Sequence, residues 1–243
     1  MSRELSTQHV LPHALPVPAM KKLAGKRIVL ASNSPRRRDI LKTIGLAPDI
    51  IPSTFKEDLP PSSFADIHEY PVATASHKAV EVYEKLVAED PDNAPDLVIA
   101  ADTVVLTHVQ PSTSQTDYTL LPSAGQELLE KPKDKADNLK DAAGSQWTMT
   151  LVYPILTSPG YGLHSIDERS LVYFADSPQH IIKAYVDSGE GIDRAGGFAI
   201  QGMGGVLVRK IEGDYQNVVG FPMASFFKLL DVLVEEDDDF LEL

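Results

Sequence analysis

Asp102 is the first residue whose type and setting suggest chemistry. It interrupts an apolar run, LVIAADTVVLT, between Ala101 and Thr103. An ionised carboxylate in such a run must be paired, bound to a metal or placed at a cleft mouth. Burying it alone costs several kcal/mol. The plain alternative is a strand-end Asp that caps a neighbouring loop. A second set lies in KRIVLASNSPRRRDIL, where Ser32, Ser34, Arg36, Arg37 and Arg38 surround one predicted helix start. A helix N-terminus already carries partial positive charge, so three arginines there call for an anion. Free N–H groups, hydroxyls and forked guanidinium groups together suit phosphate. A solvated basic helix start is the alternative, and no GxxxxGK[ST] loop is present. Lys131 precedes Pro132, so its backbone is held extended and its side chain suits a fixed target. Gln201, set among glycines and apolar residues, has an amide able to read donors and acceptors on a base edge. An internal hydrogen bond across its turn is the alternative. Taken alone, Glu57 reads as a loop acid and Lys78 as a solvent-exposed helical lysine.

These residues need scaffolding. Ile28–Ala31 reads as a buried strand, followed by a helix from Arg36 to Ile44 with Ser34 as N-cap and Pro35 at the first helical position. A short strand follows at 49–52, then a proline-rich connection to about Phe64. A helix is predicted over His68–Ala88, with Ala73, His77, Val80 and Leu86 inward and Glu81, Glu84 and Lys85 wet. Leu97–Leu106 is a long strand, and 107–127 reads as a polar insertion lengthening a hairpin. Further on come a helix to about Ala143, a strand over Trp147–Leu156, a turn at Ser158–Leu163 and a strand over Ser170–Ala175. The helix Ser177–Ser188 should bury Ile181, Ile182, Tyr185 and Val186 and end at Gly189 or Gly191. Glycine-punctuated strand pieces and a closing helix, Met223–Val234, complete the chain. Intermixed strands and helices predict an α/β fold with a mixed sheet.

The chain's 243 residues suffice for one large domain or two lobes. There is no cysteine, which excludes disulfides, thiolate metal sites and cysteine nucleophiles. The net charge of −13 argues against broad binding to nucleic-acid polymers, though not against a small polyanion in a locally basic pocket. No run is apolar enough to span a bilayer. Residues 1–25, with Pro12, Pro16 and Pro18, read as a flexible leader, and 235–243 as a solvated acidic tail. That leaves 26–234 as a single domain in a chain expected in the cytoplasm.

ASNSPRRRDIL resembles the SxSPRRxxLL opening of the Maf family of nucleoside triphosphate pyrophosphatases. Four later stretches, EYPVATASHKAVEV, IAADTVV, LEKPKD and DRAGGFAIQGMGGVLVRKIEGDYQNVVGFP, resemble the same family in order and spacing. PSTFKEDL and GGFAIQ…NVVGFP look most like its eukaryotic branch. The resemblance covers roughly residues 26–232. It implies an elongated, two-lobed mixed sheet with flanking helices and a central cleft, related to the inosine triphosphate pyrophosphatases. The implied reaction is NTP + water → NMP + pyrophosphate with a divalent cation, Mg or Mn. By motif, Ser32, Arg36, Arg37, Lys78 and Lys131 would hold phosphates, Asp102 would be the general base or a metal ligand, and Glu57 a metal-associated acid. Arg36, Thr103 and Gln201 match the branch acting on dTTP and UTP. The branch acting on 7-methyl-GTP carries tryptophan, glutamine and glutamate at those places. A homodimer is a further expectation from the family. Trp147 and Leu151 depart from the family pattern, which has a histidine and a TGV-like strand there. The readings kept alongside are a 7-methyl-GTP or modified-purine pyrophosphatase and a non-catalytic nucleotide-binding regulatory protein.

Overall fold

The computed structural model describes residues 8–106, 128–129, 131–135, 145–154, 160–236 and 240–241; the strand at 145–154 is described by its backbone. The chain forms α1 (Pro18–Lys22), β1 (Ile28–Leu30), α2 (Pro35–Thr43), β2 (Asp49–Ile50), α3 (Glu69–Glu89) and β3 (Leu97–Leu106). Then come β4 (Leu128–Leu129), β5 (Ser145–Pro154), β6 (Tyr161–Phe174), α4 (Gln179–Ser188), β7 (Val208–Glu212), α5 (Tyr215–Val219) and α6 (Met223–Glu236). The strand order is β2-β1-β3-β5-β6-β7, with β4 paired to β3. This is an α/β fold on a mixed sheet. Among the described residues, no helix is long and apolar enough to cross a membrane.

The chain divides into two compact units. The first comprises Met1–Asp102, Thr148–Asp167 and Phe221–Leu243; the second comprises Thr103–Trp147 and Glu168–Gly220.

In the first unit, β1 pairs in parallel with both β2 and β3. Parallel neighbours need crossovers, and α2 and α3 supply them. Strand β1 is buried throughout, as its unbroken apolar run predicts. Val29, Ala31, Val98 and Ala100 from the sheet pack with Ala79, Val82 and Leu86 of α3. The inward stripe of α3 runs through Thr74, Ala75, Lys78, Ala79, Val82 and Leu86. Leu86 and Val80 face the core as expected, but His77, assigned inward, is exposed, and Lys78, read as solvent-facing, is buried. The small residues Ala75 and Ala79 carry little hydrophobic signal, yet they let the helix approach the sheet closely.

The leader expectation is corrected over residues 8–25. Ala19, Met20 and Leu23 are buried, and α1 packs on α6. Leu11 N–H donates to Gly45 O at 2.8 Å and Ala47 N–H to His9 O at 2.8 Å. His9 Nδ1 donates to Ala47 O at 2.9 Å. Gly45 sits at φ +91°, where a Cβ would lie 2.4 Å from that of Ala14. Prolines that read as disorder here mark turns and a helix start. The acidic-tail expectation is corrected too: α6 runs to Glu236, and Phe240 and Leu241 are buried beyond it.

In the second unit, β6 and β7 pair antiparallel with an irregularity at Tyr173/Phe174. Val172, Tyr185, Phe198, Leu207 and Val218 form its core, with Ile181 and Ile182 packed against it. Helix α4 ends at Gly189 in the left-handed conformation (φ +75°), as expected. Strand β6 is far longer than the predicted Ser170–Ala175 and absorbs the end of the turn expected at Ser158–Leu163. Its HSIDER segment alternates between exposed and half-buried positions, a period-two pattern hidden by its polarity. The insertion at 107–127 and most of the helix expected up to Ala143 lie outside the described residues.

Candidate active site

Strand β1 delivers the chain to Ser32, and α2 begins three residues later with Pro35 in its first turn. Ser34 occupies the N-cap without a side-chain cap bond. Instead Ser34 N–H donates to Ser32 Oγ at 3.2 Å, and Arg37 Nη1 donates to the same oxygen at 3.0 Å. The buried Ser32 hydroxyl thus fixes the loop and one arginine together. The three arginines separate in role. Arg38 is exposed beside Asp39 at 3.8 Å. Arg36 is half-buried. Arg37 is partly exposed along its length, but its guanidinium is enclosed. Burial pulls that guanidinium below its ordinary value, while the charges of Asp102 and Glu57 act in the opposite direction.

Helix α3 and strand β3 supply the centre. Lys78 Nζ lies 2.8 Å from Asp102 Oδ1 and 2.5 Å from Glu57 Oε1. The Lys78 and Asp102 side chains are 9% and 8% exposed, against 41% for Glu57. The pairing required for a carboxylate inside an apolar strand is therefore present, and its partner is an ammonium. Glu57 comes from a stretch with no regular structure, 51–60, and reaches the same ammonium from its wetter side. Formal charges balance across Arg37, Lys78, Glu57 and Asp102.

The first unit thus gathers Ser32, Arg37, Glu57, Lys78 and Asp102, with Arg36 on the same helix start. Thr103, Lys131 and Gln201 belong to the second unit. Thr103 is half-buried and follows Asp102 in β3, so its side chain points to the opposite face. Lys131 is exposed, one residue before Pro132, whose carbonyl accepts from Asp193 N–H at 3.3 Å.

Gln201 is exposed in a turn leading into a short 3₁₀ helix, Met203–Leu207. Two residues not anticipated from sequence hold this turn. Ala199 N–H donates to Tyr185 Oη at 3.1 Å. Met203 and Gly204 N–H donate to the Glu190 carboxylate at 3.1 and 2.9 Å. A Cβ at Gly202 would fall 2.2 Å from Glu190 Oε1, so a larger residue there would push the carboxylate aside. Burial, reinforced by the charge of Glu190, pushes the Tyr185 hydroxyl up to about 12. Glu190 follows a helix-ending glycine in an acidic, glycine-rich stretch, and nothing in that pattern signals a clamp.

Among the described residues no group of three or more His, Asp or Glu converges as a metal cage. Glu57 and Asp102 are hard oxygen donors that meet at the Lys78 ammonium. Magnesium-type ions are commonly held by one or two carboxylates together with substrate phosphates.

The family model described as "Maf-like protein" matches residues 27–233. The chain is 39% identical over 223 residues to a human protein named "Probable bifunctional dTTP/UTP pyrophosphatase/methyltransferase protein", covering 88% of this chain but only 33% of that relative. It therefore spans about a third of the human protein's length. Against the Schizosaccharomyces pombe protein named "dTTP/UTP pyrophosphatase" identity is 36%, covering 90% of this chain and 88% of the relative. A Thermoanaerobacter protein of the same name is 35% identical, with coverage of 87% and 97%. With the matched region running from the first strand through most of the closing helix, the chain belongs to the family of Maf-like proteins.

Proposed function

We propose that this protein is a nucleoside triphosphate pyrophosphatase that converts dTTP and UTP to the monophosphate and pyrophosphate. The observation that carries the reading is the Lys78 ammonium held between Asp102 and Glu57 beside the enclosed Arg37. Relatives bearing that activity in their names support it. Attack of water on the α-phosphorus breaks the α–β bridge, and the bridging oxygen leaves with pyrophosphate. Charge must be neutralised on both the attacked and the leaving phosphate. Arg36, Arg37, Lys78 and Lys131 are the cations assigned to that work, with the Ser32 hydroxyl orienting Arg37. Asp102 accepts the proton of the attacking water. Glu57 and Asp102 would hold a divalent ion, magnesium or manganese, which supplies Lewis-acid charge to the phosphates when bound.

Base selection is assigned to Arg36, Thr103 and Gln201. The neutral amide of Gln201 offers both a donor and an acceptor, which matches the alternating O4, N3–H, O2 edge of uracil and thymine. A cationic 7-methylguanine would favour an aromatic face and a carboxylate instead. The test is a nucleotide panel with purified protein and magnesium or manganese, read as pyrophosphate. Release from dTTP and UTP well above 7-methyl-GTP is expected. A best rate on 7-methyl-GTP overturns the base assignment. Nucleotide binding without pyrophosphate release leaves a regulatory binder as the reading.

A further inference from the structure

Glu57 contributes to the charge centre from a segment with no ladder and no helix of its own, so something else must hold it there. Helix α3 does. The Glu81 carboxylate, one turn after Lys78, accepts bonds from both hydroxyls and two backbone N–H groups of the 53–55 stretch. Ser53 Oγ and Thr54 Oγ1 both donate to it. Thr54 N–H donates at 3.0 Å and Phe55 N–H at 3.2 Å. One turn earlier on the same face, the His77 ring lies parallel to Phe55, with centroids 4.9 Å apart and planes 9° apart. Tyr70 Oη makes a long bond to the Glu57 carbonyl at 3.4 Å. Tyr70, His77, Lys78 and Glu81 therefore fix residues 53–57 from one helix, and Lys78 meets the Glu57 carboxylate itself.

We infer that Glu81 is a positioning residue for the reaction: it pins 53–55 to α3 and thereby sets where the Glu57 carboxylate sits relative to Lys78 and Asp102. The inference rests on the pyrophosphatase reading, in which Glu57 acts at the phosphates. A carboxylate is suited to the task because it accepts from both hydroxyls and both backbone N–H groups at once. Glutamine would offer one acceptor oxygen for the two backbone N–H groups, and its NH2 could meet only the hydroxyl oxygens. A sub-ångström shift of a group on an irregular loop is enough to lower turnover, because phosphoryl transfer depends on alignment.

The test compares Glu81→Gln, Glu81→Ala, Glu57→Gln and the Glu57→Gln/Glu81→Ala double variant in the full chain. In protein without nucleotide or metal, amide exchange at Thr54 and Phe55 should rise at least tenfold in both Glu81 variants, while β1 and β3 stay protected. With dTTP, kcat should fall roughly tenfold at a KM within about twofold of the parent, the pattern of lost alignment rather than lost binding. In the Glu57→Gln background, Glu81→Ala should cost almost nothing more, since residues acting through one another are non-additive. Losses that multiply in the double variant, or unchanged exchange at Thr54 and Phe55, overturn the inference. A parent protein that releases no pyrophosphate from any nucleotide overturns the reading beneath it instead, and the exchange data still report whether Glu81 holds the loop.

Discussion

At the residue scale the decisive contact is one ammonium shared by two carboxylates. Asp102 is buried and Lys78 is its buried partner, so each is tolerated in the interior because of the other. Asp102→Asn keeps the shape and the fold but removes the proton acceptor. Turnover of dTTP should fall about 10²–10⁴-fold, the usual cost of losing a general base. A folded variant turning over at nearly the parental rate would show that the base lies elsewhere. Lys78→Met should be worse for stability than for shape, since it strands Asp102 against Glu57. Breaking a buried pair commonly costs ~3–5 kcal/mol, and the exposure of Glu57 places this case toward the low end. Adding Asp102→Asn to Lys78→Met should recover part of that loss. Urea unfolding of the two variants measures it, and a double variant no more stable than Lys78→Met would contradict the pairing account.

At the element scale, helices serve as templates for irregular segments. Helix α3 templates 53–57, and α4 with its following turn templates the Gln201 turn through Tyr185 and Glu190. Glu190→Ala frees the N–H groups of Met203 and Gly204. We expect dTTP KM to rise roughly tenfold, about 1.4 kcal/mol, with kcat changed less; an unchanged KM would detach the turn from base recognition. The burial of the Tyr185 hydroxyl has a pH sign. This hydroxyl titrates higher folded than unfolded, so its contribution is complete below pH 10 and is lost as pH rises through about 12. Tyrosinate absorbance should show a late component that disappears in Tyr185→Phe. Periodicity located α4 and α6 from sequence because their apolar stripes are strong, while Ser34 and Pro35 marked the start of α2. On α3 it found Leu86 and Val80 but misassigned His77 and Lys78, because the rest of the inward stripe is largely alanine and threonine. It missed most of β6, whose polar alternation mimics a loop. The charged centre was legible at Asp102 because burial forces pairing. Glu81 and Glu190 were not, since a carboxylate that binds backbone N–H groups looks like any wet acid in sequence.

At the scale of the whole molecule, residues 8–25 belong to the first unit's core. A protein lacking residues 1–25 should lose Ala19, Met20 and Leu23 from beneath α6, where a buried Met or Leu contributes ~1.5–3 kcal/mol each. Its midpoint of thermal unfolding should drop by many degrees. A midpoint within a degree of the parent would return this segment to the status of a loose leader.

The chain path through the two units has a consequence for how the protein is made. The second unit is spelled out inside the first, which closes only with Phe221–Leu243. Helix α1 leaves the ribosome early yet finds its packing partner, α6, only after every strand of the sheet has been synthesised. Until then the apolar side of α1 and the site waiting for Phe221 and Phe226 stay uncovered. The first unit therefore cannot close before α6 is made. Nascent chains stalled before Phe221 should be far more protease-sensitive in residues 8–25 than chains released after Glu236.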